Sequence, residues 1–117
     1  MTRVPMKTGL LLCALTAVIV MTPSQAAAQD AKQGEGVYNA QKCSVCHVIA
    51  GKGSNKANPL DGVGAKLSAA DIRAWIVDPV AMTKKTASTK KPPMPSRWAS
   101  LPAADLDGLV AYMQSLK

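Results

Sequence analysis

The amino-acid sequence predicts an all-α fold of three to four helices joined by irregular loops. Apolar residues recur at helical spacing near the end of the chain, between Leu106 and Leu116. A second apolar stripe follows Ser68, a residue that can cap a helix. No stretch alternates β-branched or aromatic residues with polar ones, as a half-buried strand does. The 117 residues leave room for one domain.

Residues 1–28 are typical of a secretory signal peptide. Arg3 and Lys7 make the start positive, residues 9–21 are apolar, and small residues follow that suit cleavage. The apolar stretch has thirteen residues, fewer than the roughly 17–25 of a membrane-spanning helix. We therefore expect the segment to be removed rather than retained as an anchor. Cleavage is predicted after Ala28, or alternatively two residues earlier.

The mature domain, residues 29–117, is small and basic. Without the two basic residues of the leader it carries 12 basic and 7 acidic residues, a net charge of +5. A domain of this size buries only ~60–65% of its unfolded surface, so its protein-only core is marginal. A cofactor is expected to help fill the centre. Nucleic-acid binding has no support beyond the charge, and export argues against it.

Three helices are predicted, each from its own local signals. The first covers about residues 30–42, where Gly34 and Gly36 weaken the helix locally but permit close approach of another helix. The second, Ala69–Val77, has Ser68 as its N-cap, and an Asp-Pro pair ends it. The last covers about residues 103–116, with acidic residues near its start, which suits the helix dipole. Residues 49–64, rich in glycine and asparagine, are expected to form an irregular loop.

The sequence after the first helix contains Cys-x-x-Cys-His at Cys43, Cys46 and His47, the pattern of covalent c-type haem attachment. Two thiols three positions apart lie on nearly one side of a helical turn, so each can add to one vinyl group of the same porphyrin. The histidine that follows is then placed to bind the iron as its proximal ligand. One covalently bound haem c, with its iron, is therefore the predicted cofactor.

Three other interpretations of the motif are possible. A structural zinc site needs about four Cys, His or carboxylate ligands, and the mature chain offers two cysteines and one histidine. A thioredoxin-like dithiol is expected beside a βαβ pattern, which this sequence lacks. A simple disulfide remains possible in an exported protein, although the loop it would close is very short.

The second axial ligand of the iron cannot be another histidine of this chain, because His47 is the only one. Three methionines remain after export. Met113 belongs to the apolar stripe of the last helix and Met82 to a short helical turn, so both are expected to be core residues. Met94 stands among prolines in a segment that cannot be helical. A stiff, extended loop can present a thioether to an iron, so Met94 is the predicted ligand.

In these features the chain resembles the class I c-type cytochromes, the small family with one His/Met-ligated haem. The resemblance runs from about Ala31 to Lys117. The matching positions are, in chain order, Gly34, Tyr38, the haem motif, Pro59, Met94, Leu109, Val110 and Tyr112. Tyr38 stands five residues before Cys43 where the family commonly has four, which indicates one extra residue before the motif.

The resemblance implies a cytochrome c fold whose helices and loops wrap around one covalently bound haem. It also implies that the carbonyl of Pro59 accepts a hydrogen bond from the proximal imidazole, and that Met94 binds the iron. Trp75 or Trp98 could direct an indole N–H at a haem propionate, and Arg97 could pair with one. Alternatively, both indoles only line an apolar pocket and Arg97 is solvated.

Filling both axial positions leaves no site for oxygen or peroxide, which argues for electron transfer rather than enzymatic catalysis. We expect a soluble, monomeric carrier in the bacterial periplasm, with no membrane anchor after the leader is removed. Lysines 84, 85, 90 and 91 are predicted to steer acidic redox proteins, a donor and an acceptor, toward the haem edge. These lysines could instead form only a solvated loop. The alternative functions are a dedicated electron-transfer subunit of one periplasmic oxidoreductase, and an enzyme or gas sensor with an open iron site.

Overall fold

The computed structural model of the protein describes residues 18–20 and 22–117. Most of the predicted signal peptide therefore lies outside the described residues. The described residues form helices and no β-strand, which confirms the all-α class. The α-helices are α1 (Pro23–Ala40), α2 (Val63–Lys66), α3 (Ala69–Val77), α4 (Pro79–Thr86) and α5 (Ala103–Ser115), and 3-10 helices cover Cys43–Val45 and Arg97–Ser100. In this part of the chain no helix combines the length and the apolar character that crossing a membrane requires.

Helices α3 and α4 meet at Asp78, which ends the first and begins the second. The N–H of Asp71 donates to Ser68 Oγ at 3.1 Å, so Ser68 caps α3 as predicted. At the other end, the carboxylate of Asp78 accepts the N–H of Ala81 at 3.0 Å, and Pro79 occupies the first turn of α4. The Asp-Pro pair was predicted to stop a helix. The pair also starts a second helix, α4, which has eight residues and is longer than the short helical turn expected there.

Helices α1 and α5 cross with their backbones almost in contact. A Cβ atom built on Gly34 would lie 1.8 Å from the carbonyl oxygen of Gly108, closer than any side chain allows. Both positions are buried, and Tyr38 and Tyr112 pack edge to face beside them, with ring centroids 5.7 Å apart. The sequence predicted close approach at Gly34 and Gly36. The structure has it at Gly34 and not at Gly36, where an added Cβ would meet nothing within 4 Å. The sequence gave no indication that the partner residue would also be a glycine.

The short helix α2 begins at the end of the segment 49–64, which was expected to be irregular, and continues past it to Lys66. Gly62, with φ of +71°, begins it in the left-handed region. The C-terminal residues hold it in place, because the N–H of Gly64 donates to the carbonyl of Leu116 at 2.8 Å and Gln114 Nε2 donates to the carbonyl of Leu67 at 2.8 Å. These contacts join residues far apart in sequence, so local signals could not predict them.

The crossing of α1 and α5 gives a direct test of this packing. Gly34→Ala is expected to destabilise the protein by about 1–3 kcal/mol, because the new methyl group forces the two helices apart. The matched control is Gly36→Ala on the same helix, where an added Cβ meets nothing within 4 Å. That change should stabilise the protein by about 0.5–1 kcal/mol. Urea unfolding of both variants measures the difference, and equal effects would contradict the close crossing.

Candidate functional site

The two motif cysteines follow a sharp turn at the end of α1. Lys42 takes left-handed backbone angles, with φ of +56°, and directs the chain into the 3-10 helix Cys43–Val45. The N–H groups of Cys46 and His47 both donate to the carbonyl of Cys43, at 3.1 and 3.0 Å. The left-handed Lys42 stands in the stretch between Tyr38 and Cys43, where the sequence indicated one extra residue. The turn therefore presents both thiols and the imidazole from one compact segment.

The imidazole of His47 is held by the backbone of the following loop. His47 Nδ1 donates to the carbonyl oxygen of Asn58 at 3.2 Å. Burial lowers the pKa of His47, and the Asn58 carbonyl opposes part of that effect. The ring is thereby kept neutral with its proton on Nδ1. This leaves Nε2 as the nitrogen available to an iron ion.

The carbonyl that orients His47 belongs to Asn58, which corrects the expectation that it belongs to Pro59. Val48 and Pro59 form an isolated parallel bridge. In a parallel bridge, both hydrogen bonds of one residue go to the two neighbours of the residue opposite it. The N–H of Val48 therefore donates to the carbonyl of Asn58 at 3.3 Å, and the N–H of Leu60 donates to the carbonyl of Val48 at 2.8 Å. The bridge requires no N–H from Pro59, so the missing N–H of proline costs no hydrogen bond at this position. The bridge register turns the Asn58 carbonyl toward the imidazole.

A cavity of about 670 Å³ opens next to the motif, within the roughly 300–1,000 Å³ typical of cofactor sites. Seven of the eight residues that the sequence analysis proposed for the site line it, from four separate segments of the chain: Cys43, Cys46, His47, Trp75, Met94, Arg97 and Trp98. Pro59 does not line it, whereas its neighbours Asn58 and Leu60 do. The fold thus brings the proposed haem motif, the proposed distal methionine and both tryptophans to one apolar cavity.

The three methionines differ in their relation to this cavity. Met82 is 5% exposed and does not line it. Met113 is 6% exposed, belongs to the hydrophobic core and contributes to one wall. Met94 is half-buried and lines the cavity from the loop between α4 and the second 3-10 helix. It is the methionine whose backbone can adjust without moving a helix.

Two hydrogen-bond donors at the cavity are buried and have no partner among the described residues. They are the hydroxyl of Tyr38 and the indole Nε1–H of Trp98, whose side chains are 5% and 6% exposed. Both residues line the cavity. A buried donor without a partner costs about 1–3 kcal/mol, so each such group needs an explanation, and a bound molecule that accepts the hydrogen bond is one. The donors, the apolar walls and the thiol-imidazole set fit a haem.

The side chain of Arg97 lies over the ring of Trp98, 4.5 Å from its centroid, as a cation–π pair. Its charge also acts on Cys43. Burial raises the pKa of the Cys43 thiol, while a backbone hydrogen bond and Arg97 oppose this. Arg97 and Cys43 both line the cavity. Cys43 and Cys46 are both free, so neither is consumed by a disulfide.

Several cavity residues were missed at the sequence level. Lys42, Asn55 and Asn58 line the cavity, and Tyr38, which also lines it, was identified only as a position that matches the family. Lys90 was expected near the haem edge for its charge and not as part of the cavity lining. The parallel bridge that positions Asn58 joins residues 11 apart in sequence, so local signals could not predict it. The one available signal was the phenol of Tyr38, since a Tyr in place of a plain aromatic ring brings a hydroxyl that needs a partner.

The Tyr38 phenol predicts a specific pH dependence. Burial, with smaller contributions from Cys43 and Tyr112, raises the pKa of Tyr38 to about 12, above the roughly 10 of an unfolded tyrosine. Its contribution to stability is therefore complete below about pH 10 and is lost as the pH rises toward about 12. The stability difference between the wild type and Tyr38→Phe should fall by up to ~2–3 kcal/mol over that window.

Urea unfolding at a series of pH values measures this difference. Tyr112→Phe, which removes a half-buried phenol from the neighbouring ring, is the control and should change the pH dependence less. A Tyr38→Phe protein with the same alkaline loss of stability as the wild type would show that the Tyr38 hydroxyl is not its cause.

Residues 31–117 match the family model described as Cytochrome c. A search of curated proteins gave no match, and neither did a search of solved structures. The matched range contains the motif and every residue that lines the cavity. Proteins of this family generally carry electrons with a covalently attached haem c and its iron, typically outside the cytoplasm. Because the match covers most of the chain and the Cys-x-x-Cys-His motif borders a cavity fit for the cofactor, the chain belongs to the cytochrome c family.

Proposed function

We propose that the mature protein, residues 29–117, is a soluble monohaem electron carrier of the bacterial periplasm with His47 and Met94 as axial ligands. The observation that carries this proposal is that one cavity is lined by His47 and, from a separate loop, by Met94. When bound, the haem supplies an iron that changes between ferrous and ferric states by one electron. The residues of the chain attach it, orient it and exclude water from it.

The residues on the proximal and distal sides of the proposed haem have different roles. His47 is fixed by its bond to Asn58, whose carbonyl also accepts the N–H of Val48. If Met94 supplied a soft thioether to a bound haem from the other side, it would favour the ferrous state and raise the reduction potential. Filled by His47 and Met94, such a haem would leave no position for a substrate. These features support electron transfer rather than an enzymatic role.

The route for electrons is proposed to be the exposed side of the motif. Cys46 is exposed and Val45 is 59% exposed, whereas Cys43 is half-buried. A haem bonded to both cysteines would be shielded by the core on one side and reach the surface beside Val45 and Cys46. A small apolar surface of this kind suits the brief contacts of redox proteins.

Basic residues border the cavity and an adjoining hollow, which supports acidic redox proteins as donor and acceptor. Lys42 and Lys90 line the cavity, and Lys84 borders an adjoining hollow of about 250 Å³ next to Met94. Lys85 instead pairs with Asp71 at 3.4 Å, so its charge is partly neutralised. The charges that remain attract an acidic partner over roughly a Debye length of about 10 Å.

Met94→Ala tests the distal ligand. The ferric protein should lose its near-infrared sulfur-to-iron charge-transfer band, and its reduction potential should fall, because the thioether no longer favours ferrous iron. Met82→Leu and Met113→Leu, which preserve core volume, should leave both quantities close to those of the wild type. Spectra combined with a redox titration measure them. A band that survives in Met94→Ala would exclude this ligand, and rapid carbon monoxide binding by the reduced wild type would indicate an open iron site.

Lys84→Glu tests the charged surface. With ferricyanide as an anionic oxidant, oxidation of the reduced protein should slow by about three- to tenfold at low ionic strength, and the difference should vanish at high salt. Lys32→Glu, the same charge change on α1 away from the cavity lining, should have a smaller effect. Stopped-flow rates over a salt series measure both. Equal slowing in the two variants would show that only the net charge matters.

A further inference from the structure

The loop that carries Met94, residues 87–96, has a single hydrogen bond to a distant segment of the described chain. Its other hydrogen bonds join it to residues nearby in sequence. The exception is the ammonium of Lys90, which donates to the carbonyl oxygen of Ala57 at 2.8 Å across a separation of 33 residues. The Lys90–Ala57 contact is therefore the one polar connection that holds this loop to the opposite side of the cavity.

The acceptor of this contact belongs to a well-ordered turn. The N–H of Ala57 donates to Asn55 Oδ1 at 3.0 Å, and the N–H of Asn58 donates to the carbonyl of Asn55 at 3.2 Å. The next carbonyl along the chain, that of Asn58, accepts the bond from His47 Nδ1. Ala57 thus lies one residue from the group that orients the proximal imidazole.

The side chain of Lys90 connects the two segments that bring the axial residues to the cavity. It lines the cavity together with Asn55 and Asn58 of the proximal turn, and it stands four residues before Met94. Because its partner is a fixed backbone carbonyl, the contact does not depend on the position of another flexible side chain. It is charge-assisted, which makes it stronger than a neutral hydrogen bond.

We propose that Lys90 is a positioning residue, which holds the Met94 loop closed over the cavity and limits how often that loop opens to an external iron ligand. The proposal rests on the proposed function, since it takes Met94 as the distal ligand. Both partners are exposed, so the effect on opening should be modest. We expect about three- to tenfold, the size of a partly solvated, charge-assisted hydrogen bond.

Lys91 provides a matched control for Lys90. It is the adjacent residue, is exposed and carries the same charge, and it makes no hydrogen bond with the described part of the chain. Replacing it changes the net charge by the same amount as replacing Lys90 does. Lys90→Arg is the conservative variant, because a guanidinium can still donate to the carbonyl of Ala57.

The experiment is imidazole binding to the ferric holoprotein by stopped-flow absorption. At high imidazole the observed rate stops rising and reports the opening of the Met94 loop. Lys90→Ala should raise this limiting rate about three- to tenfold, while Lys90→Arg and Lys91→Ala stay near the wild type. All four ferric proteins should keep the sulfur-to-iron band before imidazole is added, because the contact changes opening and not the resting ligand.

Three results would overturn the proposal: an unchanged rate in Lys90→Ala, an equal rise in Lys91→Ala, or failure of Lys90→Arg to restore the slow rate. A failure of the proposed function looks different. In that case the wild type would lack the sulfur-to-iron band and bind imidazole at a rate that rises with concentration without limit. Both proposals would then fall, since no methionine would be displaced.

Discussion

The crossing of α1 and α5 at Gly34 and Gly108 determines the positions of the residues that form the cavity walls. Because neither residue has a side chain, the two backbones touch, and Tyr38 on α1 is brought against the face of α5 that carries Leu109 and Met113. The haem motif follows α1 after a single turn, so its position is set by the same contact. A wider crossing would displace the motif from the cavity that α5 helps to form.

Much of the fold could be predicted from local chemistry. Ser68 and the Asp-Pro pair gave the bounds of α3 correctly, because capping depends on neighbouring residues. The spacing of the two cysteines identified the haem attachment motif in the same way, because this spacing also involves only neighbouring residues. What could not be predicted depends on contacts between distant segments. The carbonyl of Asn58 is positioned by the bridge between Val48 and Pro59. The ammonium of Lys90 is positioned by its hydrogen bond to the carbonyl of Ala57, 33 residues away in sequence.

The two sides of the site illustrate different ways to hold a ligand. His47 belongs to a segment whose N–H and C=O groups are paired at several points, and its imidazole is bonded to the backbone. Met94 belongs to a loop with few hydrogen bonds, whose shape depends on prolines. In the proposed coordination by His47 and Met94, the side that carries His47 would orient the iron. The Met94 side, whose loop has few hydrogen bonds, is where local opening would cost least.

The unpartnered donors of Tyr38 and Trp98 have a consequence for the order of assembly. Two such groups cost about 2–6 kcal/mol when buried without a partner, a large part of the 5–15 kcal/mol by which a small domain is stable. The chain without its cofactor must also leave a cavity of about 670 Å³ at its centre. Folding before attachment is therefore disfavoured. The energetics favour attachment of the cofactor to the two cysteines first and packing of the helices around it afterwards.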